Sequence, residues 1–396
     1  VNIDVYKFVF AGKFKKRAYT SLNISIHGVI MSDHTISLAF SVLHHYLKLF
    51  AEKQEPHLSL PPFPSQFKQL DISPFLSQAE HLVLGKQPEL KESNKLFSLF
   101  ETIHQENTET KFSYDFQPLS PNTIFPKKEE NNIALSVHWD KFINAINEIP
   151  KSHCDNPSLW LDHFDTAMQC FTCNLPSPYS DDISFYDFTK AVAAFVVALA
   201  DQESNNAEPF LLIQGDFFGI QDFIFSGGSA SNKGAAKILR GRSFQVSLFT
   251  ELAALKVLNA CQLPTTAQMM NAAGKFLIVA PNTEEVKNAI KQVQSELNQW
   301  FIKETYGLIG LGIAVQQVKF SDFEEKCYEE LVKKLFQNLE EQKLKRLDLT
   351  DTTQSVQEVE YPNGVCEMNS FFPAQIGKER SVISEDQIKI GEMLSK

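Results

Sequence analysis

LLIQGDFFGIQDFIFSGGSASNKGAAKILRGRSFQVSLFTELA, residues 211–253, is the stretch on which the reading of this chain turns. An apolar run, Phe210 to Ile213, is short enough for a buried strand. Gly215-Asp216 then reads as a tight turn, followed by an aromatic segment carrying Gly219, Gln221 and Asp222. Ser226 to Gly234 (SGGSASNKG) reads as a soft loop, and a helical pattern begins at Ala235. Strand, turn, loop and helix in that order are the parts of a nucleotide-handling α/β unit, in which glycine lets backbone approach a phosphate. The same glycines equally well allow sharp turns and nothing more.

Downstream, TAQMMNAAG (Thr266 to Gly274) and KFLIVAPN (Lys275 to Asn282) read as two strands around a tight turn. Glu284 to Phe301 puts Val286, Ile290, Val293, Leu297 and Trp300 on one helical face. Leu308 to Val318 closes as a strand. The order is βαββαβ, which predicts a ferredoxin-like layer over residues 208–320. A charged amphipathic helix, Phe323 to Leu347, opens the last section, 321–396. Residues 1–105 read as helical, with apolar stripes over His34–Phe50, Ile72–Gly85 and Asn94–His104, broken by a Pro-rich loop at Ser59–Phe67. Residues 106–207 read as a polar connector with short strands, then helices at His153–Asn174 and Pro178–Ala200. Ser184 is placed to cap the last of these, with Asp187 three positions on. The predicted class is therefore α+β.

Composition narrows the function classes. An apolar content of 43% and a charged content of 21% are those of a soluble globular protein, and 396 residues suggest several domains. A net charge of −11 argues against wrapping nucleic acid by charge alone. Six cysteines are too sparse for a disulfide framework and point to a reducing, cytoplasmic setting. Cys170 and Cys173 form a lone CxxC without a second pair at zinc-site spacing. No apolar run reaches membrane-spanning length. Lys233, Lys237, Arg240 and Arg242 form a small basic cluster, read either as an RNA or phosphate contact or as a solvated helix face.

GDFFGIQDFIF followed by AAKILRGRSFQVSLF resembles the first palm domain of the large subunit of type III CRISPR–Cas effector complexes, the Csm-type subunit that makes cyclic oligoadenylates. Two words of that length, in order and correctly separated, carry the resemblance. It implies an N-terminal HD-type nuclease domain, a first palm, a zinc ribbon, and a second palm with a Gly-Gly-Asp-Asp hairpin. It also implies other type III effector subunits, guide RNA and target RNA as partners. Gly215, Asp216, Gly219, Gln221 and Gly274 are then the candidate nucleotide-binding residues. GKFKKRAY (Gly12 to Tyr19), AEHLVLGK (Ala79 to Lys86) and LFSLFETI (Leu96 to Ile103) are similar to segments of the HD domain.

The departures from the pattern are as informative. The HD pair falls on Val9 and Phe10, which cannot hold a metal, while Glu80 and Leu84 replace an aspartate and a serine. His34, His44 and His45 offer no replacement set by spacing, so the nuclease centre is expected to be dead. The palm serine has become Phe218, and the glycine turn has become Ala272-Ala273-Gly274. Of the four zinc thiolates only Cys366 remains, the other positions being Asn369, Ser381 and Ser384, with Ser384 read as a helix cap. No Gly-Gly-Asp-Asp tetrapeptide occurs in the 396 residues. No catalytic residue and no metal ligand is therefore assigned. The expected role is mainly structural; ATP with Mg²⁺ or Mn²⁺ enters only if a second palm is supplied by another chain or a missing segment. A stand-alone nucleotide-sensing palm is the third reading.

Overall fold

The computed structural model describes residues 33–394 apart from 55–57, 62–63, 66, 92–94, 103–110, 129–134, 202–205, 228–234, 346 and 348–357. Val9, Phe10, the Gly12–Tyr19 segment and Lys233 lie outside the described residues. Helices α1 (Asp33–Gln54), α2 (Ser73–Leu84), α3 (Leu135–Asn147), α4 (Pro157–Thr172) and α5 (Phe185–Ala200) build the N-terminal part. There follow β1 (Phe210–Phe218), α6 (Ile220–Phe225), α7 (Ala235–Ala260), β2 (Gln268–Ala272), β3 (Lys275–Pro281), α8 (Glu284–Thr305) and β4 (Gly310–Val318). The chain ends with α9 (Glu325–Leu344) and α10 (Val382–Met393).

The four strands pair antiparallel in the order β2-β3-β1-β4, so the βαββαβ reading holds and β1 is a central strand. α7 and α8 cover one face, where Phe217 meets Phe301 edge-on at 5.2 Å. α5 and α9 cover the other, where Phe195 meets Phe210 at 5.4 Å. From Ala191 to Leu199 α5 is apolar on every side and buried, as an all-round hydrophobic segment must be, while Asp187 and Lys190 in its first turns are not buried. It packs on α1 and α2 as well as on the sheet, so one apolar core runs from the N-terminal helices into the palm. Ser184 caps it as expected: its Oγ accepts from Asp187 N at 3.0 Å and donates to Asp187 Oδ2 at 2.7 Å.

Three local expectations are corrected. Gly215-Asp216 is no turn; both residues lie inside β1, hydrogen-bonded into ladders on both sides, and the chain turns at Gly219 instead, at φ +74°. Asn94–His104 yields only a short 3₁₀ turn, Leu99–Thr102, among its described residues. The backbone groups around it are taken by Phe97 N to Asp181 O and Ser98 N to Phe112 O. The apolar face of α8 forms as read, with Trp300 half-buried against the core and Phe301 beside it fully sunk. The cap of α10 is Ser381, whose Oγ accepts from Ser384 N at 3.3 Å, and Ser384 itself lies inside the helix.

Candidate functional site

At the exit of β1 the fold gathers the residues singled out for nucleotide contact. The β2–β3 hairpin turns through Ala273 and Gly274, both at positive φ (53° and 81°), the backbone shape of a two-residue hairpin loop. Phe217 N donates to Gly274 O at 3.0 Å, and a Cβ on Gly274 would stand 2.9 Å from Ile220 Cδ1. The hairpin turn at Gly274 therefore lies beside Ile220, which stands between Gly219 and Gln221 in the chain; Gly274 is buried there, while Gln221, Asp222, Asn271, Ala272 and Ala273 are exposed.

Gly215 and Asp216 sit deeper and have other tasks. A Cβ at Gly215 would fall 2.2 Å from the ring of Phe276, its register partner on β3, so glycine here makes room for that ring. Asp216 is 4% exposed, and its Oδ2 accepts from Lys275 Nζ at 2.8 Å and Lys343 Nζ at 2.7 Å. Lys343 belongs to α9. Burial works against its charge, but the hydrogen bonds with Asp216 and Glu340 outweigh that, and its pKa stands above the ordinary lysine value. With two ammonium groups on one carboxylate oxygen, Asp216 closes the sheet onto α9. Phe218, where the resembled pattern has serine, lays its ring over Gly310 of β4; a Cβ there would be 2.2 Å from the ring.

The basic cluster divides. Lys237 and Arg240 are exposed, Lys237 pairing with Glu392 at 3.3 Å. Arg242 is 2% exposed, which corrects both readings of it: it is neither a phosphate contact nor part of a solvated face. Its Nε donates to Gln387 Oε1 (3.1 Å), Nη1 to the carbonyls of Ile224 and Ser226 (both 2.8 Å), and Nη2 to the carbonyl of Met368 (2.9 Å). Beside it, a Cβ on Gly241 would lie 1.9 Å from Gln387 O, and one on Gly391 would lie 1.8 Å from Lys237 O. The LRGRS word thus docks α10 against α7 at backbone contact. Sequence reasoning missed this because the partners are about 145 positions away.

In the N-terminal part, Glu80 is 6% exposed, and its Oε1 accepts from Tyr46 OH at 2.5 Å and Tyr179 OH at 2.7 Å. Burial, with Glu80 second, holds both tyrosines well above their ordinary pKa. The carboxylate joins α1, α2 and the segment before α5. Cys170 and Cys173 lie at the end of α4, and burial raises both thiols. Among the described residues no three His, Cys, Asp or Glu side chains converge as metal ligands. In the last section, Cys366, Asn369, Ser381 and Ser384 come together, each buried to 4% exposure or less.

Residues 209–360 match the family model described as Csm1 subunit domain B. The chain is 31% identical over 178 residues to a CRISPR system single-strand-specific deoxyribonuclease Cas10/Csm1 (subtype III-A) of Thermococcus onnurineus, covering 41% of this chain and 22% of that protein. It is 26% identical over 279 residues to the Methanocaldococcus jannaschii protein of the same description, covering 59% and 34%. Among solved structures, a Csm1–Csm4 cassette in complex with one ATP aligns over 79% of this chain and 48% of the other, at 21% identity and a TM-score of 0.56. A Csm1–Csm4 cassette in complex with cA4 aligns over 88% and 56%, at 19% identity and a TM-score of 0.57. The chain spans about half the length of these solved neighbours and about a third or less of the curated relatives. Among the described residues, no helix is long and apolar enough to cross a membrane.

Proposed function

From a chain that belongs to the Csm1/Cas10 large subunits of type III-A CRISPR systems, we infer a cytoplasmic subunit of a type III effector ribonucleoprotein whose first palm serves mainly as scaffold. It docks against neighbouring subunits, a Csm4-type subunit among them, near the 5′ end of the guide RNA, with target RNA held in the same assembly. The observation that carries this reading is the state of Asp216. The buried acid of the palm sheet is committed to Lys275 and Lys343, so Asp216 is not free to hold a divalent ion for joining nucleotides. Lys237 and Arg240 remain exposed for a phosphate backbone; Arg242 does not. Val9 and Phe10 in place of the HD pair leave this region without cleavage of single-stranded DNA.

The second reading is half of a cyclic oligoadenylate synthetase. The turn at Gly274 lies beside Ile220, between Gly219 and the exposed Gln221, and at this corner an opposing palm bearing Gly-Gly-Asp-Asp would supply the carboxylates, Mg²⁺ or Mn²⁺, and the other wall of an ATP site. One experiment separates the two. The purified chain, alone and mixed with a Gly-Gly-Asp-Asp palm chain, is incubated with ATP, Mn²⁺, a Csm4-type subunit and guide–target RNA, and products are resolved by thin-layer chromatography. Assembly without oligoadenylate in either mixture supports the scaffold; product only with the second palm supports the half-enzyme; product from this chain alone overturns both.

A further inference from the structure

The resembled family implies a four-thiolate zinc site at positions 366, 369, 381 and 384, and the residues here do not fit it. A tetrahedral zinc centre sets its ligands about 2.3 Å from the ion, which spaces ligand atoms by about 3.8 Å around an open middle. Here the middle is closed. Asn369 Nδ2 donates to Ser384 Oγ at 2.9 Å and Ser381 Oγ at 3.4 Å, Ser381 Oγ donates to Ser384 Oγ at 3.0 Å, and Cys366 Sγ pairs with Ser384 Oγ at 3.5 Å. The other end of Asn369 is equally engaged, its Oδ1 accepting from Phe371 N at 3.0 Å and Phe372 N at 2.8 Å. An amide nitrogen and two hydroxyls are poor zinc ligands beside a single thiol, and their polar atoms are already spent on one another.

We propose that residues 358–394 are fixed to the palm without metal: the Cys366–Asn369–Ser381–Ser384 cluster takes the place of a four-ligand centre, and Arg242, Gly241 and Gly391 fasten the result to α7. The cluster ties the turn at Cys366–Phe372 to the start of α10, as a metal at those positions would. Arg242 then reaches across to Met368 O and Gln387 Oε1, one partner from each half. A buried group of hydrogen bonds in which each member finds a partner can hold such a junction, because leaving any member unpaired costs the full desolvation of that group. The proposal does not depend on whether any palm here meets ATP.

The full chain, purified without added metal, is tested by metal analysis and by thermal melting with and without a strong zinc chelator. The expected result is no stoichiometric zinc and an unchanged Tm. One zinc per chain, or a Tm lowered several degrees by the chelator, overturns the proposal. Asn369→Ala is expected to lower the Tm by several degrees and to speed hydrogen exchange in α10; an unchanged Tm and exchange overturns it. The triple variant Asn369→Cys, Ser381→Cys, Ser384→Cys is expected to bind one Co²⁺ with thiolate charge-transfer absorption and to melt in a chelator-dependent way. A folded triple variant that binds no Co²⁺ overturns the juxtaposition. If that variant does not fold, the native chain's metal content and Asn369→Ala still decide.

Discussion

Removing the guanidinium of Arg242 separates a structural anchor from a nucleic-acid contact. The side chain is 2% exposed and makes four N–H···O bonds of 2.8 to 3.1 Å, three of them to backbone carbonyls. A hydrogen bond to a charged group contributes about 1.5–3 kcal/mol, and four such bonds sharing one side chain do not add. Arg242→Met keeps most of the volume but leaves three carbonyls and Gln387 facing an apolar chain, so a loss of about 4 kcal/mol is expected, at the upper end of single substitutions. The loss falls on the contact between α7 and the C-terminal section. Urea unfolding followed by hydrogen exchange over 358–394 should show that section released first. Arg240→Ala, at an exposed residue whose Nη2 lies 3.5 Å from Gly391 O, should change stability by less than about 0.5 kcal/mol. An Arg242→Met protein within about 1 kcal/mol of the parent would refute the anchor, and weakened RNA binding at unchanged stability would restore the phosphate-contact reading.

Three further outcomes follow from the geometry. Gly241→Ala should cost about 3 kcal/mol or more by denaturant titration, since the new methyl would stand 1.9 Å from Gln387 O and two helix backbones must part to admit it. Glu80→Ala strands the hydroxyls of Tyr46 and Tyr179 and should cost about 2–3 kcal/mol, whereas Glu80→Gln, which keeps an acceptor at Oε1, should cost clearly less; equal losses would refute the hydrogen-bond account. Burial pulls His138 below the ordinary histidine pKa, against the opposing pull of its hydrogen bond to Phe171 O and with a smaller push in the same direction from Lys141. Folding therefore favours its neutral form: the contribution is complete above about 6.5 and is lost as pH falls through 6.5 towards the lowered value. His138→Gln, which retains a donor for Phe171 O, should flatten Tm against pH between about 7 and 5.

Much of this architecture was legible in the chain alone because it rests on local period and local chemistry. The short apolar runs of β3 and β4, the helical stripe of α8 and the Ser184–Asp187 cap each lie within a few positions of one another, and each formed where expected. The three positions where a thiolate is replaced could likewise be counted from two short words. Gly215-Asp216 misled because a glycine–aspartate pair is turn chemistry in isolation; flanked by β3 and β4, its backbone is claimed from both sides and stays extended. The fates of Asp216 and Arg242 had no local signal at all. Lys343 is 127 positions from Asp216, and Gln387 is 145 from Arg242. A charge declares its role only once burial removes water and supplies partners, and which partners arrive is decided by the packing of α9 and α10 on the sheet. Periodicity and capping belong to the neighbours a residue has along the chain; whether an acid or an arginine is free to meet a ligand belongs to the neighbours it acquires on folding.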